Sequence, residues 1–278
     1  MSKPLNISNG TPAVPPEIQW QPLPINELNG TPPQVECPIS NLHRPKSKKV
    51  VELLTKFYED TGRIELCLDE VGRGCLFGRT YIACVVLPKE NDAFDGSNIK
   101  DSKKFSSKKK IKEVSDYIKA HALHWHVAYV ENDVIDKINI LQAVMKGMHE
   151  CIKTVLEQHV LDKKNVIAVV DGNYFTPYRW FDNEAETICE LPAVTVEQGD
   201  AKYMGIAAAS ILAKVARDEY IQEMCSINPL LVEHYGLDTN MGYGTKKHME
   251  GIRQHGITSW HRRTFGEICR NAVKNEAF

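Results

Sequence analysis

Hydrophobic positions follow two different periods along the chain from about residue 50 onward. Runs rich in apolar and β-branched residues predict strands at 64–70, 79–88, 123–130, 166–171 and within 191–200. Apolar residues spaced three and four apart predict helices near 50–59, 106–120, 139–159 and 201–224. Because strands and helices alternate in this order, the pattern favours an α/β protein with a mixed sheet covered by helices.

The first 45 residues follow neither period. Ten of the 14 prolines lie at or before Pro45, and the sequence NGTP occurs there twice. A segment of this composition buries too little apolar surface to offset the entropy lost on ordering. We therefore predict a flexible proline-rich tail over residues 1–45 and a single folded domain over residues 46–278.

The composition of the 278 residues is that of an ordinary globular protein, with 42% hydrophobic and 25% charged residues. No apolar run has the length of a membrane span, and the N-terminus lacks the pattern of a secretory signal. The eight cysteines include no C-x-x-C pair, which favours reduced thiols. These features predict an intracellular, cytoplasmic protein, with the nucleus or another compartment left open.

The distribution of charged residues along the chain is more informative than the net charge. A net charge of −2 does not by itself indicate a nucleic-acid partner, but residues 100–112 contain seven lysines and one aspartate. Phosphate binding needs only a local positive surface. A lysine run is more often solvated surface, so its meaning depends on what lies beside it.

Four carboxylates are placed where a sheet would carry a site. Asp69 and Glu70 end one apolar strand, Asp171 ends another, and Asp200 precedes an alanine-rich helix. Each has an ordinary explanation as a solvated strand end, a turn residue or a helix cap. Adjacent like charges cost free energy unless a cation or a proton offsets them, and Mg²⁺ and Mn²⁺ prefer oxygen ligands. The set therefore predicts a site for two divalent cations.

The adjacent pair raises a geometric difficulty, because neighbours in a regular strand point to opposite faces. For Asp69 and Glu70 to reach one site, the strand must end or bulge there. Gly72 and Gly74 permit this, and their bare backbone would let a polyanionic strand approach closely.

Seven sequence blocks together resemble a known family. They are DEVGRG, DSKKFSSKKK, NILQA, VDGN, GDAKYMGIAAASILAKVARD, GYGTKKH and HRRTF, and their order over residues 64–270 is similar to that of ribonuclease HII. The resemblance implies a ribonuclease H-like fold with a helical C-terminal extension. It also implies cleavage of the RNA strand of RNA/DNA hybrids, and of duplex DNA at single embedded ribonucleotides, by a two-metal mechanism.

The resemblance also implies residue roles. Asp69, Glu70, Asp171 and Asp200 would be the catalytic, metal-binding acids. The substrate-binding residues would be Gly72, Arg73 and Gly74 at the ribose 2′-hydroxyl, Tyr243 at the RNA-to-DNA junction, and Asn139 and Gln142 in the minor groove. Asn139 and Gln142 are three apart and so are expected on one helical face. Candidate phosphate contacts are Lys103, Lys104, Lys202 and Lys214, each of which could instead be solvated or flank a helix.

Two alternatives stay open at this stage. Ribonuclease HIII shares much of the fold, but would need a folded N-terminal platform where the composition predicts a tail. A noncatalytic nucleic-acid-binding subunit on the same scaffold is the other, and retention of all four acids argues against it. The resemblance further suggests a monomer.

Overall fold

The computed structural model describes residues 53–89, 94–275 and 277. Five strands form one sheet, and two more form a separate hairpin. The sheet strands are β1 (Ile64–Val71), β2 (Thr80–Val86), β3 (His124–Val130), β4 (Val166–Asp171) and β7 (Ala193–Val196). Their order across the sheet is β3-β2-β1-β4-β7. The hairpin strands are β5 (Arg179–Asp182) and β6 (Thr187–Glu190). The predicted mixed sheet is confirmed, since β1 pairs antiparallel with β2 and parallel with β4.

Seven α-helices accompany the strands in the described residues. They are α1 (Lys108–His121), α2 (Asn132–Gln158), α3 (Met204–Ile227), α4 (Leu230–Tyr235), α5 (Leu237–Asn240), α6 (Lys246–His255) and α7 (Gly266–Arg270). The last four are the C-terminal helical extension that the resemblance implies. The helices α2 and α3 cover opposite faces of the sheet.

Alternation along β1 explains why both faces of the sheet are covered. Leu66 and Leu68 are buried with apolar residues of α2, whereas Cys67 is buried on the other face with Ile206 of α3. Small residues let α3 approach closely, because a Cβ on Gly205 would lie 2.4 Å from the Cys67 sulfur. A central strand buried on both faces reads as a nearly continuous apolar run, as the sequence of β1 does.

Three expectations need correction or fall outside the described residues. The helix predicted at 50–59 is wrong over residues 53–59, where Thr55 instead exchanges backbone hydrogen bonds with Lys202 and Met204. The hairpin of β5 and β6 was not predicted. The tail predicted over residues 1–45 lies outside the described residues, and no described helix has the length and apolar character to cross a bilayer.

Candidate active site

Asp69 and Asp171 lie side by side at the end of neighbouring parallel strands. The register pairs Leu68 with Val170, so the next residue of each strand is one of these two acids. Two residues earlier, Cys67 and Val169 both face α3. Because side chains alternate along a strand, both acids point to the α3 face as well.

Asp200 reaches the same place from a different element. It lies in a 3₁₀ turn, Gly199–Ala201, just before α3, and its side chain is buried. The Gly199 N–H donates to Asp171 Oδ1 at 2.6 Å, which holds the turn against the end of β4. A Cβ on residue 199 would lie 2.5 Å from the end of the Ile206 side chain and 3.1 Å from Asp171 Oδ1, so glycine lets the turn approach β4 without moving either side chain. Burial, and to a smaller extent the Asp200 charge, raises the pKa of Asp171.

Glu70 joins the acids without the bulge that the sequence suggested. The strand β1 pairs regularly with β2 through Val71, so the expected bulge is absent, and the strand ends one residue beyond Glu70. β4 stops at Asp171, so Glu70 lies one residue beyond the end of that strand, although alternation along β1 turns its side chain away from the face of Asp69. Burial raises the pKa of Glu70 and the Asp171 charge adds to this, while Arg73 Nη1, 3.3 Å from Glu70 Oε1, opposes it.

Asp69 is the most enclosed of the four acids. Its residue is 4% exposed, and its Oδ1 accepts the Glu70 N–H at 2.7 Å. Burial first, and then the charges of Asp171 and Glu70, hold the pKa of Asp69 well above its usual range. Ser210 of α3 opposes this rise by hydrogen bonding to Asp69, and its hydroxyl lies 3.0 Å from that of Ser102.

The donor set suits hard divalent cations. Four carboxylates supply the oxygen ligands that magnesium and manganese prefer, and burial with mutual repulsion leaves charge that a cation would neutralise. Within residues 53–89, 94–275 and 277, no group of three or more His, Cys, Asp or Glu side chains has the geometry of a metal site. The Lys103 ammonium lies 3.4 Å from Asp200 Oδ2 and offsets part of the charge. The residues therefore fit such ions by chemistry and by charge.

The Gly-Arg-Gly turn forms the rim of this site. Gly72 has φ +90°, and a Cβ there would lie 2.2 Å from Arg217 Nε. Gly74 differs, because a Cβ there would meet no atom within 4 Å. The Arg73 side chain is about half exposed. Packing against Arg217 thus requires glycine at position 72, whereas the backbone of Gly74 is open to solvent.

Two buried arginines hold this rim, and sequence reasoning assigned them no role. The Arg217 guanidinium donates to the carbonyls of Met241 at 2.6 Å, Phe77 at 3.1 Å and Arg79 at 3.3 Å. Arg262 donates to the carbonyls of Gly78 and Arg73. Burial lowers the pKa of Arg262 to about 10. The two arginines belong to two of the sequence blocks that resemble ribonuclease HII, but a charged residue in a helix or loop predicts surface rather than core.

Tyr243 lies on the loop beside the rim. Its residue is 46% exposed, and its ring centroid lies 6.0 Å from the Arg217 guanidinium carbon. The carbonyl of the preceding Gly242 accepts a hydrogen bond from the Leu76 N–H at 2.8 Å. Tyr243 and the Gly-Arg-Gly turn are therefore joined through Arg217 and through the backbone. An exposed ring fixed in this way is available for stacking.

Asn139 and Gln142 are exposed, but the helical-face argument for them fails. Asn139 has φ +65° and ψ +164°, so it interrupts α2 rather than continuing it. Its Oδ1 accepts the Gln142 N–H at 3.1 Å and so caps the second part of the helix. Asparagine tolerates positive φ better than most residues, which explains its presence at the break.

The four candidate lysines are divided between the site and its surroundings. Lys103 touches Asp200 directly, and Lys104 Nζ lies 3.8 Å from Asp101 Oδ2 in the same 3₁₀ turn. Lys202 Nζ donates to the Glu197 carbonyl at 2.7 Å, and Lys214 forms an i,i+4 ion pair with Asp218 along α3. Only Lys103 contacts one of the four acids in the described part of the chain.

The fold and site together define a ribonuclease H-like protein with a carboxylate centre at the strand ends. A family model for ribonuclease HII matches residues 66–268. The chain belongs to the ribonuclease HII family, whose members are metal-dependent endonucleases of the hydrolase class. This confirms the family that the seven sequence blocks resemble.

Curated relatives support the same placement. A ribonuclease HII of Parabacteroides distasonis is 44% identical over 210 residues, which cover 75% of this chain and 92% of that protein. A ribonuclease HII of Oceanobacillus iheyensis is 39% identical over 201 residues, covering 72% of this chain and 67% of that protein.

Solved structures agree in fold. The PCNA:RNase HII complex from Archaeoglobus fulgidus gives a TM-score of 0.54 at 24% identity, covering 73% of this chain and 95% of that chain. Bst-RNase HIII in complex with Mn²⁺ gives 0.55 at 15% identity, covering 78% of this chain and 67% of that chain. At these identities the likeness concerns the fold.

Proposed function

We propose that this protein cleaves the RNA strand of RNA/DNA hybrids and cleaves duplex DNA at single embedded ribonucleotides. The products are a 3′-hydroxyl and a 5′-phosphate. The observation that supports this most strongly is the pairing of the buried Asp69 with the partly buried Asp171 on adjacent strands, with Asp200 held against it by the Gly199 N–H. Membership of the ribonuclease HII family supplies the substrate class.

Asp69, Glu70, Asp171 and Asp200 hold two magnesium or manganese ions in this proposal. Ions so bound supply water activation and neutralise charge on the scissile phosphate and the leaving oxygen. The protein's own contribution is to fix the acids beforehand. Glu70 N–H orients Asp69, Gly199 N–H orients Asp171, and burial leaves their charge poorly solvated. A poorly solvated cluster binds a cation more strongly than the same acids in water.

Recognition of the ribose falls to the rim. The open backbone of Gly74 and the turn at Gly72 permit close approach of a sugar edge, and Arg73 adds a cation. A 2′-hydroxyl both donates and accepts hydrogen bonds, so backbone groups can distinguish it from deoxyribose. The exposed Tyr243 ring stacks at the junction between the ribonucleotide and the following DNA.

Binding along the duplex involves side chains farther from the cut. Lys103, Lys104, Lys202 and Lys214 are proposed as phosphate contacts, with Lys103 the strongest candidate because it already lies at the site. Asn139 and Gln142 are proposed minor-groove contacts from an exposed position at the break in α2. Lys202 and Lys214 have existing partners within the chain, which weakens their case.

The test is cleavage of a labelled duplex that contains one ribonucleotide, in magnesium or manganese, by the parent and by Asp69→Asn. The parent should cut beside the ribonucleotide, and Asp69→Asn should bind but lose at least about 100-fold in rate, because one charged ligand is removed. Asp116→Asn, an exposed acid on α1, is the matched control and should cut like the parent.

The same assay separates the alternatives. Binding by the parent without cutting would favour the noncatalytic subunit. Cutting of a longer hybrid while the single ribonucleotide is spared would favour the ribonuclease HIII type. We also propose that the protein is a monomer, which light scattering of the same preparation tests. The proposed cytoplasmic location is tested by imaging of a tagged protein in cells.

A further inference from the structure

Two buried histidines lie behind the Tyr243 loop and take no part in the function proposed above. His248 belongs to α6, and His261 belongs to the segment that follows α6. Their Nε2 atoms are 3.0 Å apart, and both residues are almost fully enclosed. Buried imidazoles need hydrogen-bond partners at both ring nitrogens, so the remaining two nitrogens are informative.

The outer nitrogens bond to backbone groups whose roles are fixed. Thr258 N–H, which only donates, lies 3.0 Å from His261 Nδ1, and the Thr258 hydroxyl, which can also donate, lies 2.9 Å from the same nitrogen. The Tyr243 carbonyl oxygen, which only accepts, lies 3.0 Å from His248 Nδ1. His261 Nδ1 must therefore be unprotonated, and His248 Nδ1 must carry a hydrogen.

These two conditions determine the whole chain of bonds. A neutral His261 with a bare Nδ1 carries its hydrogen on Nε2, and a neutral His248 with Nδ1–H has a bare Nε2. The short Nε2 contact is then a proper hydrogen bond from His261 to His248. A second proton on either ring would bring two N–H groups face to face. Burial accordingly lowers the pKa of both histidines, and each ring is neutral.

One end of this chain is the carbonyl of Tyr243, on the rim of the candidate site, and the other end is Thr258. The backbone around His261 also pairs with the segment that follows the Gly-Arg-Gly turn. The residue after His261 donates its N–H to the Leu76 carbonyl, and Gly78 N–H donates to the Trp260 carbonyl. The His261 ring also meets the Phe77 ring edge-on, with centroids 5.2 Å apart. The histidine pair thus spans from the Tyr243 loop to residues 76–78, which directly follow the Gly-Arg-Gly turn.

We propose that His248 and His261 form a fixed-tautomer relay that positions Tyr243 against the Gly-Arg-Gly turn for recognition of the ribonucleotide junction. The proposal rests on the proposed role of Tyr243. His248 and His261 are positioning residues, because neither faces solvent or substrate. A misplacement of the ring by about 1 Å is enough to lower a rate substantially.

Two substitutions of His248 separate the two halves of the relay. His248→Asn places an amide nitrogen near the position of Nδ1, so it keeps the donor to the Tyr243 carbonyl and loses the bond to His261. His248→Gln places its amide near the position of Nε2, so it keeps the bond to His261 and loses the one to Tyr243. His255→Asn, on the same helix but stacked on His234, is the matched control.

Cleavage of the single-ribonucleotide duplex gives the functional measurement. We expect His248→Gln to lose about tenfold in kcat/KM and His248→Asn to stay within about threefold of the parent. In a Tyr243→Ala background, His248→Gln should cost nothing further, because the ring it positions is gone. Losses that multiply in the double variant, or equal losses in the Asn and Gln variants, would overturn the proposal, since a merely structural role gives that result.

Ring nitrogen chemical shifts measured by NMR give a second result that needs no activity. The relay requires a proton on Nδ1 of His248 and on Nε2 of His261 from pH 6.5 to 8. The opposite tautomers, or a charged ring in that range, would overturn the relay even if cleavage proceeds as proposed. A parent protein that shows the expected tautomers but does not cut would instead refute the function and leave the hydrogen-bond chain intact.

Discussion

The Arg217 side chain lies directly beneath Gly72, so close that a Cβ on Gly72 would be 2.2 Å from Arg217 Nε and 2.6 Å from Cδ. Arg217 is 1% exposed and is anchored by three backbone carbonyls, so it has no room to move away. The Gly-Arg-Gly turn is therefore shaped by a residue more than 140 positions later in the chain.

Gly72→Ala should destabilise the protein, whereas Gly74→Ala should not. Alanine at position 72 would adopt φ +90° and collide with Arg217, at a cost of at least about 1–3 kcal/mol. Alanine at position 74 would meet no protein atom, so the free energy of unfolding should change by less than about 0.5 kcal/mol. Urea unfolding measures both. If the Gly74 backbone meets substrate, Gly74→Ala should still lower kcat/KM; full activity would exclude that contact.

Arg217→Met should be severely destabilising. It leaves the carbonyls of Phe77, Arg79 and Met241 without their donor, and each unpaired buried group costs about 1–3 kcal/mol. We expect a loss of at least about 3 kcal/mol by urea unfolding. Arg253→Met, on the exposed face of α6, is the control and should change stability little. A small loss for Arg217→Met would mean that water replaces the guanidinium.

Divalent cations should reverse the effect of Asp69→Asn on thermal stability. Without metal, the amide removes a buried charge that Asp171 and Glu70 repel, so Tm should rise. With manganese or magnesium, the parent should gain about 2.7 kcal/mol at a cation concentration 100 times Kd, and Asp69→Asn clearly less. Differential scanning fluorimetry with and without EDTA measures this. Equal cation shifts in both proteins would remove Asp69 from the ligand set.

Lys103→Ala should weaken binding to every duplex sequence and reduce its salt dependence. Lys103 is highly exposed beside Asp200, where it can pair with a phosphate. Loss of one phosphate contact lowers the slope of log K against log salt by about 1. Lys109→Ala, equally exposed on α1, is the matched control. Fluorescence anisotropy from 50 to 200 mM salt measures both, and an unchanged slope for Lys103→Ala would remove it from the contacts.

His248 and His261 should make folding sensitive to acid. Burial lowers both pKa values below the ordinary value of 6.5, so the unfolded chain takes up protons that the folded pair excludes. Stability should therefore fall as pH drops below about 6.5, by up to about 1.4 kcal/mol per pH unit for each histidine. The groups packed round the pair are Tyr235 and Phe77, with the guanidinium of Arg262 next in the chain.

The measurement compares unfolding free energies at pH 7.5 and 5.5 in the parent and in a double variant, His248→Asn with His261→Asn. The double variant is expected to be less stable overall but to lose less between the two pH values. The same loss in both proteins would show that other groups cause the acid sensitivity.

Local sequence patterns predicted most of the sheet and misjudged specific places. The strands β1, β2, β3 and β4 follow from apolar runs, because burial on a sheet leaves that mark on neighbouring residues. The helix predicted at 50–59 is wrong over residues 53–59 because the backbone of Thr55 pairs with Lys202 and Met204, which outweighs a weak helical period. The hairpin strands β5 and β6 are four residues long and too short for a period to be recognised.

Part of the candidate site can be predicted from the sequence. Acids at strand ends stand out in a sequence because they interrupt apolar runs, and parallel neighbours bring such ends to one edge of a sheet. Asn139 was placed on a helical face because nothing in its neighbours reveals a positive φ. Arg217 and Arg262 gave no signal of burial, since only a folded backbone supplies the carbonyls that make a buried guanidinium stable.

The sequence by itself determined the α/β class and the main strands and singled out four candidate acids, because these depend on residues close together in the chain. The tertiary structure alone decided that Asp69 and Asp171 are adjacent, that Arg217 closes under Gly72 and that His248 meets His261. Those relationships join residues that are distant in sequence. They exist only after the sheet register and the packing of α3 and α6 have brought the backbone groups within hydrogen-bonding distance.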